Sequence, residues 1–125
     1  MTAASPDRGE IWWVCFDPSI GDEIKKSRPA VVISSPALAK LRLRIVVPIT
    51  GWRSGSSKIP WHYPLKADAL TGLEKDSVAD ALQIKSVSLD RFVKKIGRVS
   101  SSWLMGVYTA PQLRDSAYSA DFLIL

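Results

Sequence analysis

An arginine stands directly before a strongly apolar stretch in the segment KKSRPAVVISSP. Pro29 fixes the backbone torsion φ and lacks an amide donor, so it suits the first position of a strand and places Arg28 at that strand's entrance. A guanidinium offers a planar fork of donors that matches phosphate, and it stays charged at every working pH. Arg28 is therefore either an ordinary solvated charge or a group that binds phosphate.

Few other residues are suited to common catalytic chemistries. His62, the single histidine, has an ordinary pKa near neutrality and is a candidate general base, although its place in a predicted strand favours a half-buried structural side chain. The single cysteine, Cys15, excludes an intramolecular disulfide. One cysteine with one histidine cannot supply the usual four ligands of a structural zinc site. We therefore expect no metal and no cofactor.

Positive charge is concentrated in the middle of the chain. Residues 24–67 contain nine basic and no acidic residues, whereas the remainder contains eight basic and all twelve acidic residues. A segment with basic and no acidic residues favours a polyanionic partner such as a nucleic acid. Contacts to its phosphates provide affinity that does not depend on the nucleic-acid sequence. A solvated basic face with no such partner is the alternative.

Most of the chain reads as β structure in a single domain over residues 1–125, with residues 1–7 as a flexible N-terminus. The segment GEIWWVCF is apolar on both faces, which predicts a first strand that is buried on two sides. The polar loop DPSIGDEIKKS follows it and has a length often seen in functional loops. Further strands are predicted at 28–34, 41–49, 58–65, 77–87 and 94–99.

Local signals refine this arrangement. Strand 41–49 begins in alternation, which sends Arg42 and Arg44 to one side and the intervening leucines to the other. Prolines mark 58–65 as an edge strand. Short helical turns are predicted in SPALAKL and SLDRF, and the tail from 100 to 125 is predicted to be mostly helical, with a break near Thr109 and Pro111 and its last four residues in helix packing. With no apolar run for a signal peptide or membrane span, we expect a cytoplasmic protein that does not contact membranes.

Four blocks of the sequence resemble the MazF/PemK family of toxin endoribonucleases from bacterial toxin–antitoxin systems. The blocks occur in collinear order over residues 8 to 99 and are RGEIWWVCFDPSIGDE, RPAVVISS with VVPIT, GLEKDSVADALQIKSVS, and KKIGRV. Four blocks at matching spacing make the resemblance specific. It implies a compact SH3-like barrel with short helices and a C-terminal helix.

The resemblance also implies an activity and partners. Members of the family are metal-independent endoribonucleases that cleave single-stranded RNA at a short sequence. The implied assembly is a homodimer whose interface groove holds the RNA. Growth is inhibited until the acidic, disordered C-terminal segment of a cognate antitoxin occupies that groove.

Three candidate catalytic residues follow from the resemblance. The family's key arginine matches Arg28, its key threonine matches Thr50, and its loop glutamate matches Glu23. Arg28 would stabilise charge on the phosphoryl oxygens, because a group that stays protonated is a poor base. Thr50 would donate a hydrogen bond to a non-bridging oxygen. Glu23 would orient Arg28 or accept the proton of the 2′-hydroxyl.

Six further residues are predicted to bind RNA. Trp52 and Arg53 directly follow Thr50 in a glycine- and serine-rich loop, where they would stack on and clamp an unpaired base. The alternative for Trp52 is a lid packed under its own loop. The other four are Lys25, Lys26, Lys58 and Gln83.

The chain departs from the family pattern at two positions near the predicted site. Gly51 stands where many members have serine, and Leu82 stands where an acidic residue is common. Two functions from other classes therefore remain as alternatives. One is a non-catalytic poison of the same fold, like the gyrase inhibitors related to CcdB, and the other is an RNA-binding barrel without catalysis.

Overall fold

The computed structural model of the chain describes residues 4–111. Within that range the chain forms seven strands, all paired antiparallel, followed by one α-helix. The strands are β1 (Glu10–Cys15), β2 (Ser27–Val32), β3 (Leu43–Gly51), β4 (His62–Leu65), β5 (Ser77–Asp80), β6 (Lys85–Ser88) and β7 (Phe92–Arg98). The helix is α1 (Ser101–Tyr108), and 3-10 turns occupy Pro36–Leu38, Ser56–Lys58, Ala81–Gln83 and Leu89–Arg91.

The strand order is β4-β5-β3-β2-β1-β7, and β6 pairs with the first half of β3 while β5 pairs with its end. The predicted edge position of β4 is confirmed. The single strand predicted at 77–87 is instead two strands, because the Asp80 carboxylate accepts a hydrogen bond from the Leu82 amide (3.1 Å) and starts a 3-10 turn between them. The predicted mainly β architecture with a C-terminal helix is confirmed.

The two ends of the sheet are joined by the loop that follows β4. The end strands β4 and β7 do not pair with each other, but the amide of Arg98 in β7 donates to the Leu70 carbonyl in that loop (3.0 Å). Two glycines permit this close approach. A side chain at Gly72, where φ is 68°, would overlap the Ile96 carbonyl, and one at Gly97 would overlap the Thr71 carbonyl. The sheet therefore curls into a barrel-like shape.

Apolar side chains pack on both faces of the central strands. Val31 and Ile33 belong to one cluster, whereas Ala30 and Val32 belong to the other. The helix α1 covers the first cluster, where the Tyr108 hydroxyl donates to the Ile33 carbonyl (2.6 Å). Burial raises the pKa of Tyr108 to about 12. The two-sided burial predicted for β1 is confirmed as well, with Ile11 in one cluster and Val14 in the other.

The alternation predicted at the start of β3 does not separate a polar from an apolar face. Leu41 and Leu43 are exposed, whereas Arg44 is only 5% exposed. The Arg44 guanidinium donates to four backbone carbonyls, those of Pro6 (2.9 Å), Leu41 (2.8 Å), Leu43 (2.8 Å) and Ala39 (3.4 Å). A buried guanidinium with these partners is structural, so Arg44 does not belong to the basic surface that the sequence predicted.

The ends of the chain are described only in part. Pro6 is buried and anchored by Arg44, whereas the sequence predicted flexibility throughout residues 1–7. The helix α1 ends at Tyr108, as the predicted break near Thr109 requires. The helix predicted beyond Pro111, together with the packing of residues 122–125, lies outside the described residues. No described helix has the length and apolar character needed to span a membrane.

Candidate active site

Arg28 and Thr50 line one cleft of about 580 Å³. Arg28 is the second residue of β2 and pairs with Val14 of β1, while Thr50 lies near the end of β3 and pairs with Val78 of β5. The other walls are residues 72–75, from the loop after β4, and residues 94–96 of β7. Tertiary packing thus brings together two side chains that lie twenty-two positions apart in the sequence.

The Arg28 side chain is half-buried and held at one point. Its Nε donates to the Lys25 carbonyl (3.1 Å), which fixes the inner part of the guanidinium. Within residues 4–111 its terminal nitrogens have no hydrogen-bond partner. The outer donors of the fork are therefore available to an anion in the cleft.

Thr50 and Gly51 form the floor of the cleft at the end of β3. The backbone of both residues is paired with β5, so the Thr50 side chain is held in a fixed direction. Its hydroxyl has no hydrogen-bond partner among the described residues. A short β-branched side chain has few rotamers to lose, which suits a donor that must point at one oxygen.

Glu23 does not lie with Arg28 and Thr50. It is exposed in the loop between β1 and β2, where its Oε1 accepts from the Ile20 amide (2.7 Å). It does not line the cleft, and in the described range it makes no ion pair with Arg28. The only carboxylate among the residues that line the cleft is instead that of Glu74.

The loop between β1 and β2 is fastened to the body of the protein by Gln83. The Gln83 side chain accepts from the Ile24 amide and donates to the Asp22 carbonyl, each at 3.0 Å. Both polar atoms of this amide are thereby engaged. Gln83 is therefore placed to position the loop, and its contact with RNA stays a prediction.

Lys25 and Lys26 project from the end of this loop and are exposed. Lys26 has a positive φ of 63°, and its amide donates to Asp17 Oδ1 (2.9 Å). The backbone that carries both lysines is thus fixed close to Arg28, while their ammonium groups face solvent. This placement suits contacts with phosphates on either side of the cleft.

The loop after β3 places the other predicted RNA-binding residues outside the cleft. Trp52 is 49% exposed, and its amide donates to the Asp76 carbonyl (3.1 Å). The ring is therefore available for stacking and is not buried as a lid. The Arg53 amide donates to Ser56 Oγ (3.0 Å), which folds the loop back, and Lys58 is exposed at its end.

His62 and Leu82 lie away from the cleft. His62 is a half-buried strand residue, as the structural interpretation predicted, and its Nε2 lies 3.8 Å from Asp80 Oδ2. Its Nδ1 is buried without a hydrogen-bond partner in the described part of the chain. Leu82 is 68% exposed. The geometry gives neither residue a role in the chemistry of the cleft.

Three lysines that the sequence analysis did not select also line the cleft, namely Lys75, Lys94 and Lys95. Lys95 is neutralised by Glu10 (2.8 Å). Burial alone would raise the pKa of Glu10, but hydrogen bonds from Lys95, the Asp7 amide and the Trp12 indole hold it below its ordinary value. These lysines lie outside the acid-free segment 24–67, so the charge distribution along the sequence gave no signal for them.

The described residues include no group of three or more His, Cys, Asp or Glu side chains placed to hold a metal ion. The cleft does combine a guanidinium, a hydroxyl, free ammonium groups and one carboxylate. Such a set can bind a phosphodiester and stabilise additional negative charge on it. Whether the reaction proceeds without metal remains a prediction, which an assay in EDTA addresses.

Sequence comparison matches most of the chain to known proteins. The family model described as PemK-like, MazF-like toxin of type II toxin–antitoxin system matches residues 7–110. Endoribonuclease MazF9 of Mycobacterium tuberculosis is 36% identical over 118 residues, which cover 90% of this chain and 98% of that protein.

Solved structures have the same fold. MazF from Deinococcus radiodurans is similar with a TM-score of 0.72 and 25% identity, over 90% of this chain and 96% of that one. A MazE–MazF structure from the same organism gives a TM-score of 0.63 and 26% identity, over 83% of this chain and 89% of that one. The chain therefore belongs to the PemK-like, MazF-like toxin family of type II toxin–antitoxin systems.

Proposed function

We propose that this toxin is an endoribonuclease that cleaves single-stranded RNA at a short sequence without a metal ion, with Arg28 and Thr50 in its active site. The observation that carries the proposal is their convergence in one cleft, where the outer donors of Arg28 and the Thr50 hydroxyl have no partner within residues 4–111. Family membership and the endoribonuclease that matches nearly the whole chain support the reaction class.

RNA carries its own nucleophile, so this reaction requires no bound water. The 2′-oxygen forms a bond to phosphorus while the bond from phosphorus to the 5′-oxygen breaks. The 2′-hydroxyl loses its proton and the 5′-oxygen gains one. The products are a 2′,3′-cyclic phosphate and a 5′-hydroxyl end. The protein must align the attacking and leaving oxygens and stabilise the charge that develops on the phosphoryl oxygens.

Arg28 and Thr50 are suited to the second of these tasks. The free end of the Arg28 fork would bind two oxygens of the phosphoryl group, and the Thr50 hydroxyl would donate to a non-bridging oxygen. Both are held by paired strands, so little reorganisation is needed when charge develops. Neither takes the proton of the 2′-hydroxyl.

The geometry favours Glu74 over Glu23 as the group that accepts that proton. Glu74 lines the cleft, whereas Glu23 is bonded to its own loop at Ile20. We expect E74Q to lower the single-turnover cleavage rate by about 10²-fold or more, because a positioned base contributes at least that much. E23Q, measured beside it, is expected to change the rate far less. If E23Q lowers the rate more than E74Q does, Glu23 is the better candidate for the base.

The expected partners are an antitoxin and a second copy of the chain. A MazE–MazF structure of the family member from D. radiodurans supports binding of a protein partner. For this chain we propose an acidic, disordered antitoxin segment, because Arg28, Lys75 and Lys94 leave the cleft positively charged. We also propose a homodimer, to be tested by its mass in solution, and action in the cytoplasm, where mRNA is exposed to cleavage.

The test is to incubate the protein in EDTA with a long unstructured RNA and to map cut sites and end groups, with an R28A/T50A double variant alongside. We expect cuts at a recurrent short motif with 5′-hydroxyl ends, and no cuts by the double variant. Cleavage that survives in the double variant would contradict the site assignment. If the wild type binds this RNA but leaves it intact, the RNA-binding barrel is the better reading. If the wild type neither binds nor cuts this RNA, the non-catalytic poison is the better interpretation.

A further inference from the structure

Gly51 leaves room beside Thr50 that the side chain of Lys75 occupies. A Cβ atom placed on Gly51 would lie 3.1 Å from both Cε and Nζ of Lys75. This separation is tighter than ordinary van der Waals contact, so a side chain at position 51 would push the end of Lys75 away by a few tenths of an ångström. The end of Lys75 thus lies directly over the backbone that follows Thr50.

Hydrogen bonds hold the backbone at Lys75 and directly after it. The Ser77 hydroxyl donates to the Lys75 carbonyl (2.9 Å), and the Asp76 carbonyl accepts from the Trp52 amide (3.1 Å). Asp76 Oδ1 also accepts from the Ala67 amide (2.9 Å), which ties the two ends of this loop together. These contacts fix the backbone from which the Lys75 side chain extends.

The Lys75 ammonium group is available to a ligand. It is exposed, and no carboxylate of residues 4–111 lies within ion-pair distance of it. Lys95, another cation of this cleft, is neutralised by Glu10. The Lys75 ammonium is thus a free positive charge beside position 51, where many family members carry a serine.

We propose that Lys75 binds an RNA phosphate beside Thr50, and that the absence of a side chain at Gly51 lets its ammonium group lie there. This inference rests on the proposed function and adds a substrate-binding residue to the same site. An ammonium on a flexible stem acts as a point charge, so Lys75 would hold the strand without the strict geometry that Arg28 requires. The Lys75 ammonium would make the phosphate contact that a serine hydroxyl at position 51 would otherwise make.

The experiment measures binding of a short RNA whose scissile 2′-hydroxyl is replaced by hydrogen, so that it binds without being cut. Affinity is determined over a range of salt concentrations for the wild type, K75M and K66M. Lys66 is exposed and lies outside the cleft, so K66M makes the same change of charge as a matched control. A thermal melt of each variant establishes that it is folded.

We expect K75M to weaken binding several-fold and to reduce the slope of log affinity against log salt by about 0.7, the value for one phosphate contact on a single strand. K75R should restore the slope, and K66M should leave it unchanged. If K75M and K66M both retain the wild-type slope, the phosphate contact is overturned.

A second comparison tests the role of Gly51. G51S requires only the tip of a flexible side chain to move, so we expect a folded protein with weakened binding. Its effect should disappear in the K75M background, because the ammonium that it displaces is already gone. Equal effects of G51S in both backgrounds would overturn the coupling.

The cleavage assay separates this inference from the proposed function. If the wild type cuts RNA, R28A does not, and K75M binds with the wild-type slope, only the inference about Lys75 fails. If the wild type neither binds nor cuts any RNA, the proposed function and this inference fail together.

Discussion

R28A is expected to lower the single-turnover rate of RNA cleavage by about 10²- to 10³-fold, the usual cost of removing one preorganised donor to a developing charge. The physical reason is that the outer nitrogens of Arg28 have no partner within residues 4–111 and that Arg28 lines the cleft, so these donors would be available to a bound substrate. Binding should weaken less than the rate, because one lost phosphate contact accounts for only part of the affinity. The measurement is cleavage of a short RNA under enzyme excess.

Two further variants sharpen this result. R28K keeps the positive charge but loses the planar fork, so we expect a rate between those of the wild type and R28A. R42A removes an exposed arginine whose partner is Asp90 (2.8 Å), outside this cleft, and is expected to cut at the wild-type rate. If R28A cleaves RNA as fast as R42A, Arg28 is not part of the active site.

R44M is expected to lower the free energy of unfolding by about 3 kcal/mol, a large effect for one substitution. Methionine fills part of the volume but donates no hydrogen bonds. The substitution therefore leaves the carbonyls of Pro6, Leu41, Leu43 and Ala39 without their common donor. Pro6 is buried, so leaving its carbonyl without a donor is costly, and the N-terminal segment loses its anchor. Urea unfolding followed by tryptophan fluorescence measures the change.

R42M is the matched control for this prediction. It removes the same charge two positions earlier, from a side chain that is 63% exposed and makes a surface ion pair with Asp90. Such a pair contributes about 0–1 kcal/mol, so R42M should be nearly as stable as the wild type. Equal stabilities of R44M and R42M would show that the Arg44 network is not structural.

The contrast between Arg42 and Arg44 shows that local sequence patterns do not predict which of two charged side chains is buried. Alternation assigns Arg42 and Arg44 to the same side, and both count toward the basic segment 24–67. The structure buries one and exposes the other, because a guanidinium is buried at acceptable cost wherever enough carbonyls converge on it. That convergence involves Pro6, which lies far away in the sequence, and no local pattern encodes it.

The sequence by itself determined most of the strands and the family, and it selected two residues that share one cleft. Proline before AVVI, the apolar segment GEIWWVCF and the helical turns predicted in SPALAKL and SLDRF are local signals, and the structure has strands and 3-10 turns there. The resemblance to the MazF/PemK family selected Arg28 and Thr50, and both side chains line one cleft. These features depend on neighbouring residues or on strand order, which a sequence carries directly.

Only the tertiary structure decided which other side chains share that cleft. It separates Glu23 from Arg28, engages Gln83 in holding a loop, and brings Lys75 over Gly51. The physical reason is that the loop after β4 can pack against β7 only where Gly72 and Gly97 let their backbones meet. Contacts of this kind depend on where distant segments converge in three dimensions, which charge counts and strand periodicity do not specify.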